Sequence, residues 1–207
     1  MADPAYIVDG VLTDGEAWVG LNTTTVVGTS TATITFKSGF DDTDTDVGGV
    51  QAWDQYMDLI LISYAAGEAV GGTNSSYVRF NSDTGSNYPY QWLYADGAND
   101  TAAGGAAGAS YTNLMYIDAS PGTASPQPWG CSVLTMFDIN SGKYKSAFSQ
   151  FAADRDGAGM VGIYASTWQS QAAINRIDIA CGFDYLAGSK FSLFGVLPSM
   201  LTTGTVA

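Results

Sequence analysis

Three sets of side chains in this sequence have types and spacings that bear on chemistry. Asp42, Asp44 and Asp46 alternate within residues 41–46, and clustered oxygen donors of this kind suit a hard cation such as calcium. Counting from Asp42, the sharp-turn position that calls for glycine is Val47 and the distal bidentate acid position is Trp53, so the calcium-loop pattern fails. A solvated linker is the competing reading. The pairs Asp54 with Asp58 and Asp83 with Asp96 are nominal acid and nucleophile for glycoside cleavage, but nothing local separates them from surface and turn residues. Cys131 and Cys181 are fifty positions apart without a CxxC spacing; free buried thiols are expected, with a disulfide as the alternative.

The 207 residues contain no histidine, which removes Ser-His-Asp and Cys-His catalytic units and His-ligated zinc. No GxxxxGK or strand-linked GxGxxG cradles a phosphate, so the 25 glycines read as turn and loop residues. No enzyme activity, cofactor or bound metal is expected.

Charge points the same way. Twenty carboxylates against seven Lys and Arg give a formal charge of −13, which repels nucleic acid. The excess is N-terminal: up to residue 142 the basic side chains are Lys37 and Arg79, whereas Lys143, Lys145, Arg155, Arg176 and Lys190 follow. The split suits a solvated surface or acidic and basic faces that meet between subunits. The start, MADPAYIVDG, has no basic and apolar leader pattern, and the longest strongly apolar run, Leu59–Ile62, is too short to cross a bilayer. Neither export nor a membrane partner is expected.

The elements that would position these groups are strands. Helix formers are scarce, while Thr, Val, Ile, Tyr, Phe and Gly are abundant. Residues 23–27 and 32–36 read as a hairpin or a long edge strand, and the acidic stretch 41–49 as a loop. The sequence Tyr56–Tyr64 is apolar on both faces in its middle, as in a central strand or at a subunit contact. Residues 67–76 read as a turn, 77–80 and 90–94 as strands, and 96–108 as a mobile Gly/Ala-rich loop. Further strands fall at 111–117, 131–137, 144–151, 160–168, 174–180 and 191–197. The stretch 144–151 also fits a helical spacing through Tyr144, Ala147, Phe148 and Phe151. The sum is an all-β chain, a jelly-roll-type β-sandwich over residues 51–207 with an extended N-terminal arm over residues 1–50.

Aromatic and apolar groups supply the candidate contacts. Tyr88, Tyr90, Trp92 and Tyr94 alternate, so on a strand they share one face, either as a sugar-stacking platform or as a core or subunit seam. Tyr6, Ile7 and Val8, with Trp18, Val19 and Leu21, are apolar islands among Gly and Asp and look like anchors for a neighbour. Tyr6, Ile7, Val8, Trp18, Val19, Leu21, Tyr90, Trp92 and Tyr94 are therefore the candidate assembly residues.

Three segments in order, Tyr77–Tyr88 (YVRFNSDTGSNY), Thr167–Ile174 (TWQSQAAI) and Ala187–Val196 (AGSKFSLFGV), resemble a family of tailed-bacteriophage virion proteins. In that family an R-F-N-x-D-x-G-x-N-Y turn precedes W-x-S-x-A-A-I and a closing A-G-S-x-F-x-L-Y-G-I strand. This chain has Phe194 and Val196 where the family tends to have tyrosine and isoleucine. The resemblance runs from about residue 56 to 197 and implies a jelly-roll domain that forms a homotrimer, with no catalytic residue to carry over. It implies a virion protein made in the host cytoplasm. The first expectation is a capsid decoration (cement) protein partnered by the major capsid protein; the alternative is a fibre tip or receptor-binding knob contacting host glycans. The absence of a repetitive shaft ahead of the β domain favours decoration.

Overall fold

The computed structural model describes residues 7–8, 11–12, 18–28, 31–39, 52–67, 73–97, 102–118, 129–153 and 159–197. The alternating pattern produces strands throughout: β1 (Ile7–Val8), β2 (Val11–Leu12), β3 (Trp18–Thr25), β4 (Thr31–Lys37), β5 (Asp58–Ala65), β6 (Thr73–Phe80), β7 (Tyr90–Asp96), β8 (Ala102–Ala106), β9 (Thr112–Asp118), β10 (Gly130–Phe137), β11 (Lys145–Ala153), β12 (Met160–Trp168), β13 (Arg176–Tyr185) and β14 (Lys190–Val196). Among the described residues one 3-10 turn, Trp53–Gln55, leads into β5.

β1 and β2 pair with each other. The remaining strands form an eight-stranded antiparallel sheet, β3-β14-β5-β10-β11-β12-β7-β8, and a four-stranded one, β4-β13-β6-β9. Take β3, β4, β5, β6, β9, β10, β13 and β14 as first to eighth. The sheets then read first-eighth-third-sixth and second-seventh-fourth-fifth, which is the jelly-roll wrap of two Greek keys. The other four strands are two hairpins, β7–β8 inserted between fourth and fifth and β11–β12 between sixth and seventh. Both continue the same sheet beyond β10, so one side of the sandwich is twice as wide as the other.

The core lies between the sheets. Leu59, Leu61, Leu134, Met136, Phe191 and Leu193 from the wide sheet meet Ile34, Phe36, Val78, Phe80, Ile177 and Ile179 from the narrow one, all at most 5 % exposed. β9 sits directly over β10 and β11, where Ala147 and Ser149 leave room; the Ser149 hydroxyl donates to the Leu114 carbonyl, and Thr112 Oγ1 meets Ser166 Oγ at 2.5 Å.

Several expectations change here. Residues 23–36 form no hairpin: β3 pairs with β14 and β4 with β13, so each is an edge strand of a different sheet. Residues 18–37, placed in the arm by a division at residue 50, thus supply the first two strands of the jelly roll. β6 begins at Thr73, inside the expected turn 67–76, because its polar start pairs with β9. The Gly/Ala-rich stretch contains β8. Its low intrinsic strand preference is offset by two seats that only glycine provides: a Cβ on Gly104 would stand 2.7 Å from the Trp92 ring, and one on Gly105 2.4 Å from Gln91. The ambiguous stretch 144–151 is strand, with Ala147, Ser149 and Phe151 facing inward.

Candidate functional site

Each strand of the wide sheet sends alternate side chains to opposite faces. On β5 the inward set is Leu59, Leu61, Ser63 and Ala65, and the outward set Asp58, Ile60, Ile62 and Tyr64. On β10 the outward set is Cys131, Val133, Thr135 and Phe137; on β12 it is Val161, Ile163, Ala165 and Thr167. The register places these sets in rows across the sheet. One row runs Ser192, Ile62, Val133, Gln150, Ile163, Leu93 and Ala103, and the next Phe194, Ile60, Thr135, Phe148, Ala165, Gln91 and Gly105.

No narrow sheet covers this outer face, and it is apolar. Tyr64 is 51 %, Val161 60 % and Leu93 43 % exposed, and Ile62, Val133, Phe137 and Ile163 are also open to solvent. Trp18 on β3 leans on Phe194 with ring centroids 6.3 Å apart. Tyr64 stacks on Trp129 at 4.9 Å and 12°. Gly188, in the left-handed region at φ +95, lets that tryptophan approach to 3.3 Å of where a Cβ would be. Shallow grooves run between β7, β11 and β12, one along Leu93, Gln150, Val161 and Ile163 and one along Gln91, Phe137, Phe148 and Ala165.

Among the described residues, the strands contribute two charges to this face, Asp58 on β5 and Lys190 on β14, and none from β10 to β8. They stand on neighbouring strands at opposite ends, since Lys190 pairs with Tyr64 and Val196 with Asp58. In a chain of formal charge −13, a neutral apolar face eight strands wide is the feature that departs furthest from an ordinary soluble surface.

Two of the carboxylates nominated for chemistry, Asp83 and Asp58, hold structural hydrogen bonds. Asp83 accepts hydrogen bonds from Gly85 N (2.8 Å), Asn87 Nδ2 (2.9 Å) and Trp168 Nε1 (2.8 Å). Burial pushes its carboxyl up, and the donors from Trp168, Asn87 and Gly85 outweigh that, holding it below the ordinary carboxylate value. Asn81 and Ser82 both have positive φ in a tight turn that Asp83 N closes onto Phe80 O. Asn81 then bonds the backbone of Ala173, Asn175 and Arg176. Tyr88 reaches back to Phe80 N at 3.0 Å, and burial raises its hydroxyl's pKa. The segments Tyr77–Tyr88 and Thr167–Ile174 therefore meet in space as one polar clasp between the ends of β6 and β12. The segment Ala187–Val196 is a turn, in which Ser189 Oγ meets Ala66 and Gly188 N bonds Val26 O, followed by strand β14.

Asp58 accepts from Asp138 N at 2.7 Å, and Asp54 is exposed on the 3-10 turn. Lys145, one of the C-terminal basic residues, is buried with its ammonium donating to the Ser141 and Lys143 carbonyls; burial lowers its pKa and the Asp138 carboxylate opposes that. Both cysteines are free. Cys181 is buried, its thiol pKa raised to about 11 by burial, but Cys131 is exposed on the outer face, contrary to the expectation of two buried thiols. An odd-numbered strand position decides that, since Gly130 and Ser132 point inward. The acidic stretch 41–46 lies outside the described residues. Among the described residues no three His, Cys, Asp or Glu side chains gather as a metal site.

The candidate assembly residues divide among several places. Tyr6 lies outside the described residues, and Ile7 and Val8 form β1. Trp18 stands on the outer face, whereas Val19 and Leu21 pack partly buried against the core. Tyr90, Trp92 and Tyr94 share one face of β7, as their alternation predicts, and it is the inner one: all three are partly buried against the core, Trp92 stacked on Tyr94 at 4.9 Å and Tyr90 edge-on to Tyr164 at 6.2 Å. The sequence reading missed Tyr64, Val133, Phe137, Val161, Ile163 and Leu93 as outer-face residues. The one available signal was the apolar character of β5 on both sides.

No family model matches the chain, and no curated protein does. A solved structure similar to it is the CBM2 module of the evolved Dit of Lactobacillus casei BL23 phage J-1, at 10% identity, covering 82% of this chain and 75% of that one with a TM-score of 0.16. At that TM-score the likeness carries no argument about fold or function.

Proposed function

We propose that this chain is a structural protein of a phage virion, a jelly-roll capsid decoration protein that acts by adhesion rather than catalysis. The observation that carries the reading is the neutral, apolar outer face of the wide sheet on an otherwise acidic chain. Such a face is costly to leave in water, and the grooves along it are shallow and mostly apolar, which suits contact with a protein surface. The virion assignment adds the resemblance of three segments, which serve here as a clasp and as a turn with the strand β14 rather than as a site. The fibre-tip alternative has weaker support, because the aromatic row that would stack on a glycan points inward.

The copy number of the chain in purified particles tests the proposal. A decoration protein is present in hundreds of copies in fixed ratio to the major capsid protein; a number near that of a tail appendage sinks the reading. Shell attachment is tested by removing residues 2–17, which precede β3. A deletion to residue 40 would instead take away β3 and β4 and unfold the sandwich.

A further inference from the structure

We propose that the outer face of the wide sheet closes on the same face of a second copy, related by a two-fold axis that lies between the sheets and runs across the strands. The inference deepens the proposed assembly role by naming the occupant of that face.

Three observations carry it. The first is charge: two chains of formal charge −13 repel, and they can approach closely only where neither presents carboxylates in numbers. Among the described residues the outer face brings one, Asp58, together with one cation, Lys190. The second is complementarity. A two-fold across the strands leaves each strand over its own counterpart and reverses its direction. Because Lys190 and Asp58 sit at opposite ends of the adjacent strands β14 and β5, this operation sets the Lys190 end of one copy over the Asp58 end of the other, twice per dimer. The same operation lays the Ile62–Leu93 row over the row from Phe194 to Gly105; Ile60 is itself only 5 % exposed, so Phe194, Thr135, Phe148, Ala165 and Gln91 make the contacts of that row, all apolar or neutral. The third is size. Eight strands about 4.8 Å apart span about 34 Å, and strands near seven residues long run about 23 Å, a footprint of about 800 Å² per copy. A stable protein interface needs about that much from each partner.

Sedimentation equilibrium of the full chain, from low to about physiological ionic strength where the like charges of the two chains are screened, tests the pairing, with a species of twice the chain mass expected. Val133→Lys places an ammonium near the centre of the face and is expected to weaken the dimer by at least about a hundredfold. The circular dichroism of the monomer should stay unchanged, since residue 133 points away from the core. Lys190→Asp opposes two carboxylates and should weaken dimerisation by about tenfold at low salt, with recovery as salt is raised. As an independent readout, a thiol reagent should label Cys131 more slowly as the protein is concentrated. A monomer at every concentration, a trimer such as the family resemblance implies, or a dimer indifferent to either substitution overturns the proposal. High copy number in virions together with any of those results would leave the decoration reading standing and remove only the two-fold pairing.

Discussion

The two faces of the wide sheet are made by the same strands and differ in what covers them. On the inner face Leu61, Leu134 and Leu193 form one register row and are fully buried under the narrow sheet. One residue along, Ile62, Val133 and Ser192 form the next row and look outward. Residue type barely distinguishes the rows, so the difference teaches that burial in this fold is assigned by topology. An apolar alternate position is core where a second sheet lies over it and contact surface where none does.

Single substitutions should sharpen that contrast, and the largest effect belongs to the inner face. Leu134→Ala is expected to cost about 3 kcal/mol, because the side chain is fully buried and a cavity remains; equilibrium urea denaturation measures it, and a loss no larger than that at Val133 would break the comparison. Next comes Gly104→Val on β8. A Cβ there stands 2.7 Å from the Trp92 ring, so overpacking of about 2 kcal/mol is expected, read as a shift in tryptophan fluorescence with faster amide exchange confined to β7 and β8.

Asp83→Ala should cost about 1 to 2 kcal/mol, discounted for partial exposure, by orphaning the Trp168, Asn87 and Gly85 donors. Its pH profile has a defined sign. The folded-state pKa is lowered, so the stabilisation is complete above the unfolded carboxyl value near 3.8 and is lost as pH falls through the folded value. The gap between wild type and Asp83→Asn should therefore be flat at neutral pH and shrink in acid; a gap that widens on acidification contradicts the clasp. The smallest effect is at Val133→Ala, within about 0.5 kcal/mol for the monomer, measured on dilute protein where association is absent.

The jelly-roll class was readable because strand-length alternation and turn residues recur along the chain, as at Ile34 and Phe36 or at Asn140-Ser141-Gly142. What was unreadable is long-range. β3 and β4 look like a hairpin until their partners, at least 139 residues away, are known. β8 has almost no side chains with which to announce a strand, and its pairing depends on Trp92 and Gln91 lying over bare backbone. The clasp was visible only as a motif; that Asp83 holds Trp168, 85 positions on, needed the fold. For the outer face the sequence offered one hint, the doubly apolar β5, and placed the aromatic weight on β7, whose row turns inward. A strand that is apolar on one side gives no sign of which side another sheet will cover.

The position of β14 between β3 and β5 also bears on how the molecule comes into being. The last described strand is an interior one, next to the edge, and Thr23 bonds Ser192 across 169 positions. During synthesis the first and third jelly-roll strands stay apart until β14 has emerged, so the wide sheet closes only after residue 196 is made. With contacts this distant in sequence, folding belongs to the slow regime of milliseconds to seconds. The locally paired hairpin β11–β12 can form long before, while the edge of β5 that β14 fills stays unpaired until then.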